Sequence, residues 1–329
     1  MLIQYTKSPT QANVTAAKVV ADLIALITQT KQTSTLSDAC NKDKTFIVGR
    51  APVKSPSIVL EDAANKISWI RVDHPLYENH FTYVGFDYSS GIDIVLKMAE
   101  KYDAETKTFS KMTPMSNAGT LKVCTTYSLI AVSRVIEILV SASGVLFVGN
   151  NESTMDASNN PAYPPYNPVG LFVLEAVSSV QGGINAASGA TMFALGSISN
   201  ALESTSVYSS GSGQIGGPNT LRTANLGTDF AYVGGTLNSG VAGRETPTYS
   251  HNGALETTFL EAYVFPGDMI YAKLHGIVRP QLNINHARNR TTAASVEYYG
   301  MVNWPNINVN NVAAQAANAN GYQFVYAKL

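Results

Sequence analysis

The chain is short of charge: Lys, Arg, Asp and Glu make up 14% of its 329 residues, against roughly a quarter in an ordinary soluble domain. With 45% apolar residues beside that figure, the sequence is neither a solvated disordered chain nor an acidic tail. An excess of basic residues is missing too. The 22 Lys and Arg are offset by 23 Asp and Glu, which removes the broad positive field a protein uses to coat nucleic acid. Cysteine is scarce: Cys40 and Cys124 cannot build a disulfide framework, which fits synthesis in a reducing compartment. There is also no long uninterrupted apolar run. Residues 12–27 are rich in Ala, Val, Leu and Ile, but Lys18 and Asp22 break the run and no basic stretch precedes it, so neither a signal peptide nor a membrane span is expected. What remains is a chain long enough to bury roughly 75% of its unfolded surface, divided between two lobes.

The first ordered element read from the pattern is a helix from about Pro9 to Thr28. Ser8, Pro9 and Gln11 stand where an N-cap, a first turn and a capping-box partner belong. Ala16, Val20, Leu23 and Ile27, with Val19 and Leu26 beside them, make an apolar stripe, and Thr15, Lys18, Asp22 and Gln29 fall opposite. The stripe must lie on something: either the chain's own domain or another subunit, in which case Val19, Leu23 and Leu26 are assembly contacts.

Beyond that helix the apolar period changes from 3.6 to 2, and the fold class is mainly β: sandwich-like lobes joined by long Gly/Ser/Asn-rich loops. Ile92, Ile94, Leu96 and Met98 alternate with Asp93, Val95 and Lys97, as in a strand with one face on a core. Strands are also expected over 45–49, 67–72, 81–86, 119–126 and 145–149, and the apolar run 128–141 is read as a long strand although a buried helix also fits its density. A hairpin is expected where Phe259–Phe265 and Met269–His275 flank Pro266, Gly267 and Asp268, with Leu260, Ala262 and Val264 on the face of Ile270, Ala272 and Leu274.

Composition divides the chain into an N-terminal helical arm (1–40), a β domain (41–149), a loop-rich β region (150–252) and a C-terminal β region with a terminal strand (253–329). In the third part only 170–177 and 191–195 read as strands. Ordering loops of that length costs about 1–2 kcal/mol per residue in backbone entropy, so a partner is expected to hold them. The C-terminal part offers a short helix over 312–319 and a strand-like tail from Tyr322. Charge is uneven as well: residues 135–272 hold two basic and ten acidic residues, a formal −8, and the remainder carries +7. The two parts complement each other, either within one fold or head to tail between copies.

No motif for catalysis emerges. Gly211, Gly213 and Gly216 satisfy a dinucleotide-binding spacing, but Ser209 and Ser210 before them and Gly217 and Pro218 after them are not a strand and a helix start. The five histidines, His74, His80, His251, His275 and His286, have no metal-ligand spacing, and no cofactor is expected. His74 beside Asp73 and Pro75 reads as a structural histidine in a turn. Tyr163 and Tyr166, set among Pro161, Pro164, Pro165 and Pro168, read either as a stacking platform for a sugar or a base or as a rigid, packed loop, and they are counted among the expected assembly contacts. The tail with Tyr322 and Phe324 is suited to adding itself to a neighbour's sheet edge.

Two stretches carry a resemblance. The opening TKSPTQANVTAAKVVADLIALI, followed by LSDACNK, is similar to the start of some phage tail and baseplate-associated proteins. The β stretch ISWIRVDHPLYENHFTYVGFD through IDIVLKMAEKYDAETKTF looks like the same group. The chain therefore resembles virion structural proteins of tailed bacteriophages. That resemblance implies a non-enzymatic subunit, made in the bacterial cytoplasm and locked into the virion against other virion proteins and copies of itself, without direct contact to nucleic acid or membrane. The alternative is a carbohydrate-binding or carbohydrate-degrading particle protein that meets a host-surface glycan.

Overall fold

The computed structural model describes residues 2–7, 15–28, 46–48, 54, 56–91, 93–112, 122–125, 134–140, 146–150, 169–177, 192–197, 206–209, 213–214, 221–224, 230–232, 259–264, 272–280, 290–293, 295–301 and 325–328. They are mostly antiparallel β-strands, with one short helix near the N-terminus. In chain order the elements begin β1 (Leu2–Lys7), α1 (Ala16–Ile27), β2 (Phe46–Val48), β3 (Ser57–Asp62), β4 (Ile67–Asp73), β5 (Phe81–Asp87), β6 (Asp93–Asp103) and β7 (Thr108–Met112). They continue with β8 (Lys122–Thr125), β9 (Arg134–Val140), β10 (Leu146–Asn150), β11 (Val169–Glu175), β12 (Phe193–Ser197), β13 (Ser206–Ser209) and β14 (Gly213–Gln214). The last are β15 (Leu221–Ala224), β16 (Phe230–Tyr232), β17 (Phe259–Val264), β18 (Ala272–Pro280), β19 (Arg290–Ala293), β20 (Val296–Met301) and β21 (Val325–Lys328).

Two sheets hold these strands. The smaller runs β3-β4-β5-β6-β7, with β8 also on β6. Its central strands alternate as the sequence predicts: Ile70, Val72, Val84, Phe86, Ile94, Leu96 and Met98 are buried on one face, beneath α1, which touches β4 and β6. Four-residue turns close two of its hairpins with the same device. In DAANK and DAETK the Asp side chain accepts the backbone N–H three residues on (Asp62 from Asn65 at 2.9 Å, Asp103 from Thr106 at 3.3 Å), and the final Lys66 or Lys107 takes positive φ.

The larger sheet runs β16-β15-β17-β18-β11-β10-β9-β1-β2, with β12 to β14 and β19 to β21 branching from it. The expected late hairpin is present, with Val264 opposite Ala272, and Ala272 and Leu274 are buried together. Its second arm is irregular. Tyr263 pairs with Lys273 but Glu261 with Val278, so β18 bulges over Leu274–Ile277, and Gly276 supplies the positive φ (72°) this needs.

Several expectations change. The helix starts at Ala16, because Thr15 is extended and its hydroxyl caps Lys18 N at 3.3 Å; Ser8, Pro9 and Gln11 lie outside the described residues. Asp22 is buried, not on a wet face: α1 contacts β9 of the large sheet as well as β4 and β6, so only Ala17, Lys18 and Ala21 reach solvent along it. The loop-rich region contains four more strands, β13 to β16. One of them, Gly213–Gln214, pairs antiparallel with Tyr208 and Ser209, so part of the glycine-rich stretch is itself a β-strand. The C-terminal strand β21 is paired on both sides within its own chain, to β18 and β20. The short helix expected over 312–319 lies outside the described residues.

Candidate functional site

Two side-chain clusters combine chemistry with position. One sits at the junction of the sheets. The β4–β5 connection, residues 74–80, is closed by His74 N donating to His80 O at 2.8 Å. His74 is 2% exposed. Its Nδ1 accepts from Leu76 N at 3.1 Å and Tyr77 N at 3.2 Å, so the proton resides on Nε2, which donates to Leu174 O of β11 at 3.0 Å. Tyr77 reaches the residue just after the same strand, its hydroxyl accepting from Ala176 N at 3.2 Å. The His74 ring packs against Tyr77 (centroids 4.7 Å) and, edge-on, against Phe193 of β12 (5.2 Å).

Around this pin stand further ionisable groups. Glu175 lies opposite Lys273 in the β11–β18 ladder, and its Oε2 is 3.7 Å from Lys273 Nζ and 3.3 Å from His275 Nδ1. The β18 bulge carries His275. Burial lowers the pKa of His74 to about 4, opposed by its bond to Leu174 and assisted by the nearby His275 and His80. Burial lowers that of His275 as well, against the pull of Glu175. Among the described residues no three such side chains are arranged to hold a metal ion.

The depressed His74 pKa gives stability a definite pH dependence. Between pH 6.5 and 4 the unfolded chain takes up a proton that the folded chain refuses, so stability falls with pH through that window and levels off below it. The loss from this group is expected to total about 3–4 kcal/mol, since a tenfold change in proton affinity corresponds to about 1.4 kcal/mol and the window spans two and a half such steps. Urea unfolding midpoints measured from pH 7 to 4 check it, and a flat profile would contradict the buried neutral imidazole. Asp87 contributes only at lower pH: burial raises its pKa, but bonds from Lys97 and Ser89 outweigh that and hold it below the usual range.

The second cluster is aromatic and lies on the face of the small sheet away from α1. Trp69, Tyr83 and Ala99 are buried there, with Phe81, Tyr102 and Phe109 packed on them. The Phe109 ring stacks on Trp69 at 4.0 Å and on Tyr102 at 4.5 Å. In a flat sheet β7 would lie three strand spacings, about 14 Å, from β4. The β6–β7 hairpin therefore folds over the sheet and closes a small core, and Trp69 is 2% exposed beneath it. At its rim the Arg71 guanidinium sits 3.8 Å over Phe81 and bonds Asp73 at 2.8 Å.

Of the residues singled out from sequence, Val19, Leu23 and Leu26 are enclosed by the chain's own strands, at 0%, 0% and 2% exposure. The stripe thus packs on its own domain, and its apolar surface is not free for another subunit. Tyr163, Tyr166, Tyr322 and Phe324 lie outside the described residues. The cluster that sequence reasoning missed pairs His74 with Leu174 and Glu175 with His275, contacts one hundred residues apart that no local spacing announces.

No helix among the described residues is long and apolar enough to cross a membrane. Compared with known proteins, the chain matches no family model and no curated sequence.

Proposed function

We propose that the chain is a non-enzymatic structural subunit of a tailed bacteriophage particle, in its tail or baseplate, that acts through contacts with other virion proteins and with copies of itself. One observation carries the non-catalytic part of this reading. Among the described residues, the groups able to do acid–base work that the fold gathers, His74, Glu175, His275 and Lys273, are bonded to backbone or to one another: His74 ties the two sheets together, and the other three pair within the larger sheet. The virion assignment is supported by the resemblance of the opening helix and of the stretch 67–109. The opposite charge of residues 135–272 and the remainder supports head-to-tail contact between copies. The sandwich-like lobes of the proposed architecture are supported by α1 touching strands of both sheets and by β12 touching β6.

Assembly contacts are then sought in the Pro- and Tyr-rich segment holding Tyr163 and Tyr166 and in the tail at Tyr322 and Phe324. Permanent interfaces of roughly 2,000–5,000 Å² are large enough to order long loops. A glycan platform is not favoured at the aromatic cluster of the small sheet, because the β6–β7 hairpin covers Trp69. The particle is expected to form in the bacterial cytoplasm and to carry the chain in the virion. Mass spectrometry of gradient-purified particles from the encoding host should find the chain in fixed proportion to other virion proteins. Particles that assemble and infect without it would overturn the proposal.

A further inference from the structure

We propose that the loop 74–80 is an acid-released latch between the two sheets. Independently of the virion reading, this rests on how the loop is fastened. It belongs to the small sheet, yet two of its side chains are bonded to β11 and the residue after it in the large one: His74 Nε2–H to Leu174 O at 3.0 Å, and Tyr77 hydroxyl from Ala176 N at 3.2 Å. The same imidazole organises the loop, because Nδ1 accepts from both Leu76 N and Tyr77 N. One neutral ring thus shapes the loop and holds it to its partner strand.

That arrangement admits no second proton. A charged imidazole carries N–H on both nitrogens, so Nδ1 would turn a donor toward two backbone donors and both bonds would be lost. The loop would give up its turn, and Tyr77 would be drawn from Ala176. The surroundings decide how strongly protonation is resisted. On its own loop His74 faces His80 and Tyr77; from β11 it faces Glu175, which Lys273 engages, and from β18 it faces His275. Glu175 favours the charged ring, but it is already engaged by Lys273 and His275, and a protonated His80 or His275 opposes it. The exposed Leu76 at the loop tip adds no apolar anchor, being 46% exposed. Release leaves the loop free while the small-sheet strands stay paired, since β4 and β5 hold a continuous ladder from Ile67–Asp87 to Asp73–Phe81.

Hydrogen exchange on the full chain tests this. After correction for intrinsic rates, the amides of Leu76, Tyr77 and Ala176 should open about tenfold more per pH unit as pH falls below 6.5, reaching roughly a hundredfold near pH 4.5. The amides of β5, Thr82 to Phe86, should stay protected over that range. In the variant His74→Gln, which can donate to Leu174 without titrating, the corrected exchange of these three amides should not vary with pH. Equal protection at pH 7 and 4.5, or opening only together with β5, would overturn the proposal. Should the variant fail to fold, nitrogen NMR of the native His74 ring serves instead. An Nε2–H tautomer that resists protonation until well below pH 6 is expected, and an ordinary titration near 6.5 would overturn the latch.

Discussion

Replacing Leu23 with aspartate is expected to prevent the chain from folding. Leu23 is fully buried at the centre of α1, which contacts β4, β6 and β9 and turns only Ala17, Lys18 and Ala21 to solvent, so its side chain lies on the covered part of the helix. Loss of the leucine alone costs about 2–5 kcal/mol in a well-packed core. A carboxyl group placed there without a partner adds several kcal/mol more, whether it stays ionised or takes up a proton. The sum approaches the whole stability of an ordinary domain, about 5–15 kcal/mol. Circular dichroism and solubility of the isolated chain read the result, with Leu23→Met, which conserves volume, expected to cost under about 1.5 kcal/mol. A soluble Leu23→Asp chain with the native spectrum and an unchanged unfolding midpoint would show that the stripe is covered by another subunit.

The alternation in β6 is legible in the sequence because burial on one face follows a period of two with little interference. Ile94, Leu96 and Met98 are buried while Lys97 pairs with Asp87 at the other face. The pairing of the late hairpin's two arms is legible as well, whereas the bulge in its second arm is not. The start of α1 is ambiguous because Ser8-Pro9 and Thr15 both offer capping chemistry, and only the extended backbone at Thr15 decides between them. Asp22 departs from its expected wet face because an amphipathic pattern assumes one covered side, whereas this helix is covered on several. The DAANK and DAETK turns carry a less familiar signal: an Asp followed four residues later by Lys, without the glycine usually sought at a positive φ. The candidate site is the least legible. His74 announces a turn through Pro75, but its partner Leu174, the β18 bulge that carries His275, and the fold-over that sets Phe109 on Trp69 depend on the path of the whole chain.

That fold-over makes the second large effect a coupled one. Gly85 lies opposite Trp69 in the β4–β5 ladder, and a Cβ built on it would stand 2.9 Å from three atoms of the indole. The indole lies on the bare backbone of Gly85 and is held from the other side by Phe109. Gly85→Ala alone is therefore expected to cost about 1–3 kcal/mol by overpacking, since the ring must lift against Phe109. Trp69→Ala alone is expected to cost about 3–5 kcal/mol, as the small core loses its largest member. The double variant should be no less stable than Trp69→Ala: with the indole gone the new methyl fills part of the void, and an alanine in a strand restricts the unfolded chain more than a glycine. The cycle should yield a coupling of about 1–3 kcal/mol, within the range found for residues in contact. Urea titrations of the four chains measure it. Additive losses would mean that the indole does not rest on Gly85 and that the β6–β7 hairpin does not clamp it there.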